Sequence, residues 1–469
     1  YLLFIYSSYV CKKDMVIQFL LKYEVNLRLQ ARNYYKDSKN ISTIWSQYFH
    51  YDLAVFPYKC TSVPRFINPM VLHGMERKES LGKDFKQKLQ QVYSSHNPFT
   101  AIKENNIWPY VLSTRPFAAN DLSFIFTDPN ESTDWNGIEI FDALELLRGF
   151  HREPDLKKLK LVENNLTIPV LYDESSIPIA LACWKMEETE IYNHLQCVTS
   201  GLGLVRKYQR FISLVNQIMS SPTPIRYLVF PELALPPRWF ITASQKLQKK
   251  NICLISGIQY LFDKEDSQEV SNEIWASLDF NAFQFPTHFV YRQQKQYPSF
   301  DEVAMLSSVK NLAFTPKTSR NPWPPIIQHG HFFLSLLVCS ELLNVSLRSH
   351  LVGKIDALIA SEWNKDINTF NALVEASAMD LHAYIIQCNN NLYGDCRIRA
   401  PHKQDYERDI VKSKGGENDY FIIGKIDTGG LRSFQCNHVP VKSDVFKPFP
   451  VGYRMSKNRK EDWENQKKE

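Results

Sequence analysis

Apolar positions change their spacing along this chain near residue 150. Before that point "DMVIQFLLKYEVNLRLQARNYY" has helix-compatible spacing and few breakers, and "GIEIFDALELLRGFHRE" reads as a second amphipathic helix from Gly137. The stretch "YDLAVFPYKCTSVPRFINP" between them reads as loops and short turns. Beyond it, short apolar runs alternate with longer amphipathic ones. "LTIPVLYDESSIPIALACWKM", "RYLVFPEL", "NICLISGIQYLF", "IWASLDF", "THFVYR", "FFLSLLVC", "IDALIAS", "AYIIQCN" and "YFIIGKID" read as strands. "IYNHLQCVTSGLGLVRKYQRFISLVNQIMSS" is a long helical pattern among them. Strands of this kind, interleaved with helices, predict an α/β fold with buried sheets. The predicted organisation is a mainly helical accessory region over 1–150, a linker over 151–175, an α/β domain over 176–436 and a polar tail over 437–469.

Composition narrows the function classes. A chain of 469 residues supports a large core, and 44% hydrophobic with 22% charged residues is ordinary for a globular protein. A formal net charge of +5 gives no global basic field for nucleic acid. Nine scattered cysteines, with no CxxC pair and no zinc spacing, fit a reducing, cytoplasmic setting better than a disulfide scaffold. The opening "YLLFIYSSYVCKKDM" is too short to span a membrane, and its charges follow the apolar run, the reverse of a signal peptide. No membrane partner is expected. The chain opens on Tyr1, as a piece of a longer polypeptide would.

Three residues sit just past predicted strands, where α/β folds expose functional groups. Glu232 follows "YLVFP", Lys295 follows "FVYRQQ", and Cys339 follows "FFLSLLV". Singly, each has a bland reading: a solvent carboxylate, a loop lysine, a cysteine filling the core. Together they are complementary. A carboxylate can take a thiol proton, and an ammonium can hold an oxyanion. His329 and His331 form an H-x-H suited to a metal or to ordinary polar contacts. Arg397 and Arg399 in "DCRIR" suit phosphate or RNA, or a loop salt bridge.

The order Glu, Lys 63 residues on, and Cys 44 residues further resembles the carbon–nitrogen hydrolase (nitrilase) superfamily and its Glu-Lys-Cys triad. "YLVFPEL" resembles its strand-Pro-Glu motif, Lys295 with Glu302 its lysine loop and second glutamate, and "LLVCSEL" with Glu341 its cysteine elbow. "IDALIASEWN" resembles the strand ending in Trp363, and "ASAMDLHAYIIQCNN" the following helix and strand. The likeness spans about residues 176 to 436. Gln293 stands where the lysine is usual, Ser377 replaces an arginine, and "LLNVS" follows the elbow in place of Arg-Phe-Pro. The resemblance implies a four-layer α-β-β-α sandwich and a thiol-dependent amidase acting on a small amide or nitrile. In it Glu232, Lys295 and Cys339 are catalytic, and Glu302, Glu341 and Trp363 supporting. It implies no cofactor and no metal, and a homo-oligomer paired through "SELLNVSLRSHLVG". The alternative is a scaffold, sensor or oligomerisation module that keeps the fold without turnover.

"YGDCRIRAP", "DYERDIVKSKGGENDY" and the long N-terminal extension resemble, more narrowly, the nitrilase domain fused to reverse transcriptases in bacterial antiviral defence. That implies a reverse transcriptase domain or chain, with its nucleic acid, as partner. No Asp-Asp pair occurs in this chain, so the polymerase motif would lie upstream or on another chain.

Overall fold

The computed structural model describes Ser123, residues 135–136 and, from 159 to 467, all but 171–174, 197–200, 263–267, 281–286, 315–322 and 437–444. The helical expectation for 1–150 lies outside the described residues, apart from Ser123 and the strand β1 (Trp135–Asn136).

Sixteen strands among the described residues form two sheets. One runs β1, β2 (Lys160–Val162), β3 (Asn165–Ile168), β10 (Ile326–His329), β11 (Phe332–Val338), β12 (Ala357–Glu362), β13 (Tyr384–Asn389), β14 (Cys396–Arg399) and β15 (Asp409–Ser413). The other runs β16 (Tyr420–Asp427), β4 (Ser176–Cys183), β5 (Tyr227–Val229), β6 (Cys253–Phe262), β7 (Glu269–Phe280) and β8 (Thr287–Gln294), with β9 (Ala313–Phe314) on β7. β4, β5 and β6 are parallel, as are β11, β12 and β13. These central strands are buried on both faces, which is why they read as near-continuous apolar runs.

Eight helices are described: α1 (Glu188–Leu195), α2 (Gly201–Met219), α3 (Pro237–Leu247), α4 (Phe300–Ser308), α5 (Val345–Leu351), α6 (Ile367–Asp380), α7 (Thr428–Cys436) and α8 (Lys457–Gln466). Phe211 and Leu214 of α2 and Phe240 and Leu247 of α3 cover Ala180, Leu228 and Leu254 of the smaller sheet. Leu347 and Leu351 of α5 and Phe370 and Val374 of α6 cover Leu337, Leu358 and Ile385 of the larger. The remaining faces meet. Ser361 Oγ donates to Phe230 O at 3.0 Å, Gln293 Nε2 to Leu336 O at 3.0 Å, and Tyr384 OH to Asp427 O at 3.0 Å, each from one sheet to the other. The four-layer α-β-β-α sandwich expected over 176–436 is therefore the observed architecture.

Two flanking stretches differ from their sequence reading. Residues 160–168, read as linker, form β2 and β3, and β3 extends the larger sheet by pairing in parallel with β10. In the polar tail, α8 is anchored by a fully buried Arg459. Arg459 and Arg432 both pair with buried Asp356, and Arg432 also reaches Asp462 at 2.8 Å. A lysine-rich helix is thus docked by charges whose partners lie about 30 to 100 residues away in sequence.

Candidate active site

The ends of parallel β5, β11 and β12 lie together, and each delivers a group to one place. After β5, Pro231 ends the strand and Glu232 turns inward, followed by Leu233 in the left-handed region at φ 57°. β6 passes so closely that a Cβ on Gly257 would sit 2.6 Å from Leu233 N and against the Glu232 backbone, so only glycine fits there. Glu232 is 3% exposed. Its Oε1 accepts from Lys295 Nζ at 2.9 Å and from Asn272 Nδ2 at 2.7 Å; its Oε2 accepts from the Trp363 N–H at 3.0 Å.

Lys295 follows β8 and is 1% exposed. Besides Glu232, its ammonium donates to Glu302 Oε2 at 2.6 Å. Glu302 lies in the first turn of α4, where Ser299 Oγ accepts its backbone N–H at 3.1 Å. Its side chain is turned into the site, where Oε1 accepts from Tyr260 OH at 2.8 Å and Asn272 Nδ2 at 3.0 Å. Gln293, two residues earlier, donates to Leu336 O and takes no part in this cluster.

Cys339 opens the 3₁₀ turn Cys339–Leu343 directly after β11 and is half-buried. Its φ of 46° places a non-glycine residue in the left-handed region, a strain of roughly 1–3 kcal/mol that the surrounding packing must hold. Glu341 supplies part of that hold by accepting the Val338 N–H at 3.0 Å and the Gln296 N–H at 2.7 Å.

One lysine between two carboxylates sets the electrostatics. Burial would lower Lys295, but the charges of Glu232 and Glu302 outweigh it and hold the ammonium above its usual range. Burial would raise Glu302, but Lys295, Asn272 and Tyr260 together hold it low. Glu232 goes the other way: burial and the charge of Glu302 raise it in spite of Lys295. Burial pushes the Cys339 thiol well up, Glu232 adds to this, and Lys295 and the Trp363 N–H oppose it. The two carboxyls are thus driven apart, Glu302 held below its usual range and Glu232 above it.

All six residues singled out in the sequence lie in or against this cluster. Asn272 and Tyr260 also lie in it and carried no sequence motif; Glu362 lies there too, inside "IDALIASEWN" beside Trp363, and was not singled out. The one local hint was a polar residue inside an otherwise apolar strand, as with Asn272 in "EVSNEIW". The remaining candidates are engaged elsewhere. His331 Nδ1 bonds Asp462 at 2.9 Å. His329 lies between Tyr227 OH (2.5 Å) and Asp279 (2.8 Å). Cys253, Asp279 and His329 bring three potential ligand atoms within 4.8 Å, at the opposite ends of the strands from Glu232. The Arg226 guanidinium already occupies Asp279 at 2.6 Å, so that donor set is charge-balanced without an ion. Arg399 pairs with Glu375 and Asp409, and Arg397 with Gln387, which leaves both buried in internal bonds.

No family model matches the chain, and no curated protein matches it. Among solved structures it is similar to an amidase from Nesterenkonia sp., at 14% identity over 56% of this chain and 95% of that one, with a TM-score of 0.37. It is also similar to Saccharomyces cerevisiae Nit3, a member of branch 10 of the nitrilase superfamily, at 15% identity over 58% and 98%, with a TM-score of 0.41. No helix among the described residues is long and apolar enough to cross a membrane.

Proposed function

We propose that this chain is a thiol-dependent carbon–nitrogen hydrolase acting on a small amide or nitrile. The observation that carries this reading is the Lys295 ammonium held between Glu232 and Glu302 beside a cysteine in strained backbone at a strand end. Glu232 takes the Cys339 proton as the sulfur attacks the substrate carbon. The oxyanion that forms faces Lys295 and a backbone N–H. The C–N bond breaks and Glu232 returns its proton to the departing ammonia or amine. Water then attacks the thioester, Glu232 accepts its proton and passes it to the departing sulfur, so that Cys339 leaves as the thiol and Glu232 is a carboxylate again. Glu302 keeps Lys295 charged and in place throughout. No step calls on a cofactor or metal.

The test is a panel of short aliphatic amides and nitriles assayed for ammonia release, with mass spectrometry of the intact protein to catch the acyl-thioester. Release that disappears with Cys339→Ala, the fold being intact, supports the reading. Full release by Cys339→Ala would end it and leave the scaffold or sensor alternative.

The oligomer and the cellular context belong to the same proposal. Leu343 and Val345, beside the cysteine turn, are about half exposed or more and suit isologous pairing of two copies. A monomer in sedimentation at micromolar concentration would count against that. An upstream reverse transcriptase with its nucleic acid, in cytoplasmic antiviral defence, is supported by the "YGDCRIRAP" and "DYERDIVKSKGGENDY" likenesses. Mapping the full-length polypeptide tests it.

A further inference from the structure

A third buried carboxyl stands beside the thiol. Glu362 ends β12, and because Val338 pairs with Ser361, the next position along sets Cys339 beside Glu362. Glu362 shares its strand face with Leu358 and Ala360, two members of the apolar cluster against which Cys339 packs. It is 0% exposed. Its Oε2 accepts from Gln387 Nε2 at 2.7 Å; Gln387 Oε1 accepts from Arg397 Nε at 3.0 Å, and Arg397 donates to Asn371 O of α6 at 2.8 Å. Its Oε1 has no hydrogen-bond partner among the described residues. The backbone is engaged as well: Glu362 O accepts the Glu232 N–H at 3.4 Å and the Asn390 N–H at 3.2 Å.

An ionised Glu362 would be hard to reconcile with the chemistry proposed above. Lys295 already balances Glu302, and Glu232 must carry its own negative charge before it takes the thiol proton. A further negative charge about 5–6 Å from the sulfur, the spacing of neighbouring side chains on adjacent strands, would reduce the thiolate on the order of a hundredfold at an effective dielectric of 20. A neutral carboxyl has no such effect and gives the free Oε1 a proton to donate.

We propose that Glu362 is a positioning residue of the thiol site, a carboxyl that works in its uncharged form, oriented by Gln387 and Arg397, and that shuts the site down when it ionises. This rests on Cys339 being the nucleophile. The groups facing Glu362 agree with it. Glu232 and Cys339 disfavour a negative charge there, while Gln387 and, beyond it, Arg397 favour one. Burial outweighs the latter two and pushes the carboxyl up to about 8.

The experiment is the rate of iodoacetamide alkylation of Cys339 from pH 6 to 10, read on the Cys339 peptide by mass spectrometry, with Cys339→Ala as background. In the native protein the tenfold rise per pH unit expected of a simple thiol breaks off near pH 8. In Glu362→Gln, which is neutral at every pH, the break near pH 8 is absent and the rise continues past pH 9. Gln387→Met removes a bond that favours the ionised form, so it moves the break upward by half a pH unit or more. Glu362→Gln profiles that superimpose on the native one overturn the inference, as does an unmoved break in Gln387→Met should Glu362→Gln fail to fold. If Cys339→Ala releases ammonia from the amide panel at the native rate, the nucleophile reading itself fails, which is a separate result.

Discussion

Glu341 accepts the backbone N–H of Gln296 at 2.7 Å, which ties the residue after Lys295 to the turn that carries Cys339. Its second oxygen accepts the Val338 N–H at 3.0 Å, so one buried carboxyl braces the Cys339 turn from its N-terminal side and reaches the lysine loop as well. Cys339 and Lys295 are thereby held in register.

Glu341→Ala leaves those N–H groups without acceptors, at about 1–3 kcal/mol for each one buried. The expected result is a fall in urea stability of that order per group and a tenfold or greater loss of Cys339 alkylation rate. Burial pushes the Glu341 carboxyl up to about 7, so the folded state favours its protonated form. The associated stability is complete below the ordinary value near 4.5 and declines as pH rises through about 7. Native stability should therefore slope downward across that window, and the slope should flatten in Glu341→Gln. An unchanged slope would contradict this assignment.

Lys295→Met and Gln293→Leu separate two residues that sequence position alone does not. Removing Lys295 strips the counter-ion from two buried carboxyls, at about 3–5 kcal/mol, and abolishes turnover and fast thiol labelling. Removing Gln293 costs only the bond to Leu336 O, about 1 kcal/mol, and leaves labelling within about twofold. Equal losses in labelling from the two variants would show that the Lys295 charge has no special part in the site.

Gly257→Ala tests the positioning of Glu232 without altering a polar group. The added methyl meets backbone on both sides of Glu232, so the loop has to move. A tenfold or greater loss of labelling with secondary structure retained is expected by circular dichroism. Native labelling in this variant would mean that the loop's placement does not matter.

Asp356→Asn tests the docking of α8. Burial would raise the Asp356 carboxyl, but Arg432 and Arg459 hold it below its usual range. Its stabilisation is therefore present above the ordinary aspartate value near 3.8 and is lost as pH falls through the lowered folded value. Leaving two buried guanidinium groups without their carboxylate costs about 3–5 kcal/mol. Faster hydrogen exchange of α8 amides at neutral pH, together with a lower urea midpoint, is expected. Exchange at the native rate would show that α8 is held by other contacts.

The apolar runs by themselves determined where the central strands lie. A strand buried on both faces needs apolar residues in succession, and a polar or proline break marks its end. Glu232, Lys295 and Cys339 could be found for that reason: each stands where such a run ends, and local chain chemistry carries the signal. Which side chains surround them was decided by tertiary structure. Asn272, Tyr260 and Glu362 sit inside strands 23 or more residues from the groups they serve, and local sequence does not record what lies opposite them. The linker reading of 160–168 missed β2 and β3 because β3's neighbour in the sheet, β10, comes about 160 residues later. The polar tail hid α8 for a related reason: Arg459 is an ordinary surface residue by composition, and becomes a core residue only where folding places Asp356 against it. A buried charge is tolerated only when its partner arrives from elsewhere in the chain, and that arrival is a property of the fold rather than of any short stretch of sequence.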